Sequence, residues 1–384
     1  MNVIRNIHPV GQGGFYTETI TTSSGKHTVV YDCGGSSKEF MEEYLDGYLH
    51  RDSLGKRMEI AAVFISHLHA DHVNGLKYLL DHADVKLLVL PQLTDEMMLD
   101  AFVYNKCYSA AGGADVNRLV LRLYEEASGN GYHGDTRVVQ VSPDDLEHRT
   151  NDETEEGGLS LTAPRSVGKV IPSGTHFHLD YQWMYIPYNP PVKDLKGDFS
   201  AALAAGLGAT SPVTVKTLPE LMKGKEKAEL CKGIYEDHFG KNHNAYSMTL
   251  FSGTKRPERF REHYHHKRIH LNRCIDCYFH HREFLPNCLY TGDFEPKSYI
   301  DGLIRFYGPL WKTIRSVQVP HHGSRRNFDE KFYDYACLGF VSAGERNRHR
   351  HPNMDTLINI CKKDCFPLVI TEDKDSTAVF EFSD

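Results

Sequence analysis

With 384 residues, 40% of them hydrophobic and 25% charged, the chain has material for a large buried core and the make-up of an ordinary globular protein. No stretch approaches the ~18 consecutive apolar residues of a membrane helix, and Met1-Asn2-Val3-Ile4-Arg5 lacks the layout of a signal peptide, so a cytoplasmic chain with no membrane partner is expected. A formal net charge of −7 argues against binding nucleic acid by bulk electrostatics, although bound cations and local basic clusters lie outside that figure.

In chain order, the pattern predicts strands at Tyr16 to Thr22 and His27 to Asp32 around the turn Ser23-Ser24-Gly25-Lys26, then a helix from Ser37 to Tyr48. The apolar run from Ile60 to Ser66 suits a buried strand, and Leu76 to His82 reads as a helix, which leaves His67 to His72 on a strand-to-helix loop. Val85 to Leu90 is a further buried strand. Residues 94–239, with an acidic middle and a Lys-rich stretch, are read as an inserted elaboration, and 252–287 as a smaller insertion, within one domain spanning 1–384. Strands follow at Ser247 to Phe251, Cys288 to Tyr290, Ser316 to Val319 and Leu338 to Ser342, each ending near a polar cluster. A helix from Asn353 to Lys363 and a last strand, Pro367 to Thr371, close the chain. The nine cysteines argue against a disulfide framework, and Cys33, Cys337 and Cys361 are read as small buried hydrophobes.

The chemical signal is Ser66-His67-Leu68-His69-Ala70-Asp71-His72, three imidazoles and a carboxylate directly after a buried strand. Such a set suits borderline divalent metals, and two ions share it if further ligands arrive from elsewhere. A lone histidine is usually structural, but desolvating this many titratable groups without a metal would cost several kcal/mol.

The pattern resembles the HxHxDH signature of metallo-β-lactamase-fold hydrolases. The resemblance implies a four-layer αββα metallo-β-lactamase sandwich carrying a large insertion. It places His67 and His69 on one metal and Asp71 and His72 on the other. It also matches Leu289-Tyr290-Thr291-Gly292-Asp293 to the element whose Asp bridges both metals, and Val319-Pro320-His321-His322-Gly323-Ser324 to the final histidine loop. His322, directly before Gly323, takes the ligand position, with His321 as its alternate. The third histidine of the first site is matched by His243, four residues ahead of Ser247, with His238 as a rival. Val10-Gly11-Gln12-Gly13, Tyr31-Asp32-Cys33-Gly34-Gly35, Val319 to Ser324 and Ser342 to Pro352 are similar to the metallo-β-lactamase-like domain of bacterial DNA-uptake competence proteins and their stand-alone relatives. Residues 94–239 match nothing nameable.

The expected cofactors are two divalent ions, zinc first, with manganese or magnesium as alternatives. The expected reaction is hydrolysis of a phosphodiester, the partner being nucleic acid or a nucleotide, through a hydroxide shared by two ions that lower the pKa of water toward ~7. Asp71 would orient that hydroxide. Ser324, Arg325 or Arg326 would donate to phosphate oxygens, and His351 would act on the substrate as donor or general acid. The alternatives are hydrolysis of a lactone, thioester or β-lactam, and a metal-stabilised binding module without catalysis. Cys274 and Cys277 with His280 and His281 have the wrong spacing for a zinc knuckle, the basic run from Lys255 to Arg273 reads as a solvated loop, and Gly11-Gln12-Gly13 reads as a tight turn near the metals.

Overall fold

The computed structural model describes residues 1–50, 56–108, 113–144, 158–163, 167–180, 182–191, 198–239, 247–263 and 284–384. Among these, one sheet has ten strands and a second has eight. Period-two alternation explains how they stack. In Ala62–Phe64, Val63 joins one apolar core while Ala62 and Phe64 join another. In Leu87–Pro91, Leu88 and Leu90 face the first core, and Leu87 and Val89 the second. The second sheet does the same at Cys288–Tyr290, where Cys288 and Tyr290 enter the shared core and Leu289 a third one.

The shared core, with Tyr16, Tyr31 and Phe64 from one sheet and Tyr185, Tyr290 and Phe340 from the other, is the inter-sheet layer. The first core lies under the helices Lys38–Leu49, Leu76–His82, Asp95–Tyr108 and Gly113–Ser128. The third lies under Pro296–Tyr307 and Met354–Lys362. The order is therefore helix, sheet, sheet, helix: the four-layer αββα sandwich expected.

Site-bearing strands are parallel neighbours. Gly25–Cys33, Ala62–Phe64 and Leu87–Pro91 run together in one sheet, as do Cys288–Tyr290, Ser316–Gln318, Leu338–Ser342 and Phe366–Ile370 in the other. The loops after their C-terminal ends thus meet at one edge of the sandwich.

Some expectations need correction. The chain closes not at Phe366–Ile370 but with Ala378–Ser383, which pairs antiparallel with Asn2–Ile7, a strand also missing from the reading. Both alternate buried with half-buried residues, so neither reads as a continuous apolar run. Residues 94–239 are not set apart from the sheets: Thr136–Ser142 lies beside Leu87–Pro91, and Trp183–Tyr188 beside Thr249–Gly253. Cys33 and Cys337 are buried, but Cys361 is exposed. No helix among the described residues is long and apolar enough to cross a membrane.

Candidate metal centre

The loop from Ser66 to His69 follows Ala62–Phe64, and a short helix, Ala70–Val73, carries Asp71 and His72. Gly13 packs behind this helix at φ 155°, where an added Cβ would lie 2.5 Å from the carbonyl oxygen of Asp71, so the glycine turn backs the site as expected. Asp293 arrives on the loop after Cys288–Tyr290. Its backbone N–H donates to Ser247 Oγ at 2.9 Å, and Gln318 Oε1 accepts from the N–H groups of Thr291 and Gly292 at 2.9 and 3.0 Å. His321 and His322 follow Ser316–Gln318, both at positive φ.

These loops form two donor groups, His67, His69 and Asp293 in one and Asp71, His72 and His322 in the other, with donor atoms within 4.8 Å of one another in each. Asp293 faces both. Its Oδ2 lies 3.8 Å from His67 Nε2, and its Oδ1 lies 3.2 Å from His72 Nε2 and 3.7 Å from His322 Nε2. His321 Nδ1 stands 3.7 Å from Asp293 Oδ2, outside either group.

Three of these imidazoles have their tautomer fixed from behind. Asp32 Oδ2 accepts from His72 Nδ1 at 2.8 Å and from Ser66 Oγ at 2.8 Å. Having donated its proton, Ser66 Oγ accepts from His67 Nδ1 at 2.9 Å. The carbonyl of Ser342 accepts from His322 Nδ1 at 2.9 Å. Each ring therefore turns an Nε2 lone pair toward the centre, and the Nε2 atoms of His67 and His72 are buried with no hydrogen-bond partner.

Lone pairs thus meet carboxylate oxygens: His322 Nε2 is 3.2 Å from Asp71 Oδ2, and His72 Nε2 the same distance from Asp293 Oδ1. Two acceptors in such contact need positive charge between them. The titration directions say the same. Burial alone would lower His72, yet Asp293, Asp32 and Asp71 carry it well above the usual histidine value. His67 goes the other way, pushed well below that value by burial and then by His72 and His69. Burial would raise Asp293, but His321, His72 and His322 hold its carboxyl well below the ordinary range. This nitrogen and oxygen donor set fits divalent metal ions.

Of the other expected residues, His351 lies beside this cluster. The His351 ring is 5.6 Å from that of His321 and 6.4 Å from that of His322, and its Nδ1 is buried without a hydrogen-bond partner. Burial, then His321, His322 and His349, lower its pKa to about 3, so the ring is neutral at pH 7. Asn347 sets its loop, accepting from His351 N at 2.7 Å and donating to His351 O at 2.6 Å. Ser324 Oγ accepts from Arg326 N at 3.4 Å, and Arg325 reaches Asp355 at 3.3 Å. His238 joins neither donor group; it packs against Phe199, with ring centroids 5.2 Å apart. His243, Cys274, Cys277, His280 and His281 lie outside the described residues.

The sequence reading assigned no role to Asp32, Tyr104 or Asn105. Asp32 stood within a quoted motif, but nothing local tied it to His72. Asn105 Oδ1 accepts from Ala70 N at 2.8 Å, and the ring of Tyr104 stacks on that of His69 with centroids 3.8 Å apart.

A family model described as the metallo-beta-lactamase superfamily matches residues 20–183 of the chain. Members of that superfamily are mostly metal-dependent hydrolases, and the two donor groups are ones that could hold metal. Among solved structures, a HARLDQ-motif mutant of the metallo-beta-lactamase from Cronobacter sakazakii is 14% identical, with a TM-score of 0.24 over 47% of this chain and 49% of its own. The chain thus spans about half the length of that enzyme. None of the curated proteins matches the chain.

Proposed function

We propose that this protein is a two-metal hydrolase of phosphodiesters, acting on nucleic acid or a nucleotide. The observation that carries the metal reading is the fixed orientation of His67, His72 and His322, whose Nε2 lone pairs converge on Asp293 and Asp71. His67, His69 and Asp293 would hold one ion and Asp71, His72 and His322 the other, with Asp293 shared. Zinc suits these donors best, with manganese or magnesium as alternatives. Bound there, divalent ions supply Lewis acidity and an activated water.

The remaining steps belong to the chain. Asp71 is half-buried, so its carboxylate both faces His322 and remains within reach of an attacking water, which it orients as acceptor. His351, neutral at pH 7, donates a hydrogen bond to a substrate oxygen; a phosphate anion against the ring would raise its pKa and let it protonate the leaving oxygen. Arg325, Arg326, Arg346, Arg348 and Arg350 are exposed on the two loops that carry His321, His322 and His351. This local positive charge in a chain of net charge −7 supports an anionic substrate over a lactone, thioester or β-lactam. Resemblance to the competence-protein domain supports the same choice.

The test is turnover of bis(p-nitrophenyl) phosphate, single-stranded DNA, nitrocefin and a thioester with zinc, manganese or magnesium. Phosphodiester cleavage abolished by EDTA is expected. Opening of nitrocefin or the thioester alone would establish the rival chemistry, and no turnover of any substrate would leave a binding module.

A further inference from the structure

We infer that the helix Asp95–Tyr108, which lies in the stretch with no assigned role, is a working wall of the metal centre, and that its Asn105 and Tyr104 are positioning residues for His69. This rests on the reading that His69 holds a metal. The peptide groups on either side of that histidine are both gripped by one side chain. Asn105 Oδ1 accepts from Ala70 N at 2.8 Å, while its Nδ2 donates to Leu68 O at 2.9 Å. The same Nδ2 donates to Asn117 Oδ1 at 2.9 Å, and Asn117 Nδ2 donates in turn to Phe102 O at 2.9 Å. The two amides thus fix each other's orientation, and Asn105, at 1% exposure, has no solvent to exchange these bonds with.

The backbone grip sets where the Cα of His69 lies, and Tyr104 sets the plane of its ring. The two rings are nearly parallel, 13° apart with centroids separated by 3.8 Å. Tyr104 is itself backed by Tyr108, with ring centroids 5.1 Å apart, and the carbonyl of Tyr108 accepts from Arg348 Nη2 at 2.7 Å. One helix therefore spans the site, from the ligand loop at His69 to the loop that carries His351. Tyr104 and Tyr108 also pack against the first core, but Asn105 serves groups of the ligand loop, and a leucine there would leave both unpaired in the interior.

The experiment is a zinc titration of the purified full chain against a chromophoric chelator, with the absorption spectrum of the cobalt-substituted protein as a second readout. Asn105→Ala and Tyr104→Leu should each weaken one of the two ions by ~10- to 100-fold and leave the other in place, the scale of losing an outer support of a metal ligand. Tyr104→Phe, which keeps the stack, should restore wild-type affinity and the cobalt spectrum. Equal weakening of both ions in step with the melting temperature of the metal-free variants would show a merely structural helix and overturn the inference. So would wild-type affinity in Tyr104→Leu. A wild-type chain that binds no divalent ion removes the metal reading of the site itself, and this inference with it.

Discussion

Asp32 and His72, 40 residues apart in sequence and both without solvent exposure, meet through a 2.8 Å hydrogen bond from His72 Nδ1 to the carboxylate. That bond turns the other ring nitrogen toward Asp293. In Asp32→Asn an amide N–H would face either the imidazole N–H of His72 or the backbone N–H of Ser66, from which Asp32 Oδ1 accepts at 2.7 Å. Isothermal titration with zinc should show one ion bound ~10- to 100-fold more weakly than in wild type. Unchanged affinity would mean that the ring is oriented by packing instead.

His351→Ala should keep both ions and its melting temperature while kcat falls by ~10²-fold or more, the usual scale for losing a proton donor. The two measurements separate its possible roles. Loss of an ion would make His351 a ligand, and unchanged kcat would remove it from the chemistry.

Arg5 and Glu18, opposite each other on adjacent strands of the ten-stranded sheet, form a buried ion pair at 2.8 Å that faces the inter-sheet layer. Glu18 also accepts from Tyr185 and Tyr290 at 2.8 Å each and from Ser252 at 2.5 Å. Burial would raise its pKa, but Arg5 and these donors outweigh it and hold the carboxyl below its ordinary value. A lowered folded pKa contributes stability that is present above the unfolded value near ~4.3 and lost as pH falls through the folded one. Glu18→Gln leaves Arg5 without its counter-charge and should cost ~3–5 kcal/mol in urea unfolding at pH 7, whereas Arg5→Met with Glu18→Gln, which keeps an acceptor for the three hydroxyls, should recover part of it. A single substitution costing no more than the double would contradict the pairing.

Asp100 has the opposite sign. Burial raises its carboxyl to about 8, only partly offset by the hydrogen bond from Tyr235. Because the folded chain keeps a proton that the unfolded chain releases near ~3.9, stability falls as pH rises between that value and about 8. Asp100→Asn should flatten this slope, so its advantage over wild type should grow with pH and reach at least ~2 kcal/mol near pH 8. Parallel stability curves for the two proteins from pH 5 to 8 would refute the assignment.

The candidate donor loop stood out in the sequence because its donors crowd into six consecutive positions behind an apolar strand, whereas Asp293 and His322 were matched through the resemblance of their segments to a known family. The supports were not legible, since their partners are remote: Asp32 acts 40 residues away on His72, and Asn105 acts 35 residues away on Ala70. An asparagine inside a helix gives no local sign of which distant backbone it will bind. The strands Asn2–Ile7 and Ala378–Ser383 escaped notice for a related reason, as their alternation gains meaning only once each has the other to pair with.

Asp71 and His322 are 251 residues apart and belong to loops of different sheets. Neither sheet alone holds a complete donor set, because Asp293 and His322 come from one and the remaining histidines from the other. Metal affinity is therefore linked to docking of the two halves: free ion at 100 times its Kd would hold the sandwich shut by ~2.7 kcal/mol, and a chelator would be felt first as faster hydrogen exchange across the inter-sheet layer. The ion would act as a clasp as well as a reagent.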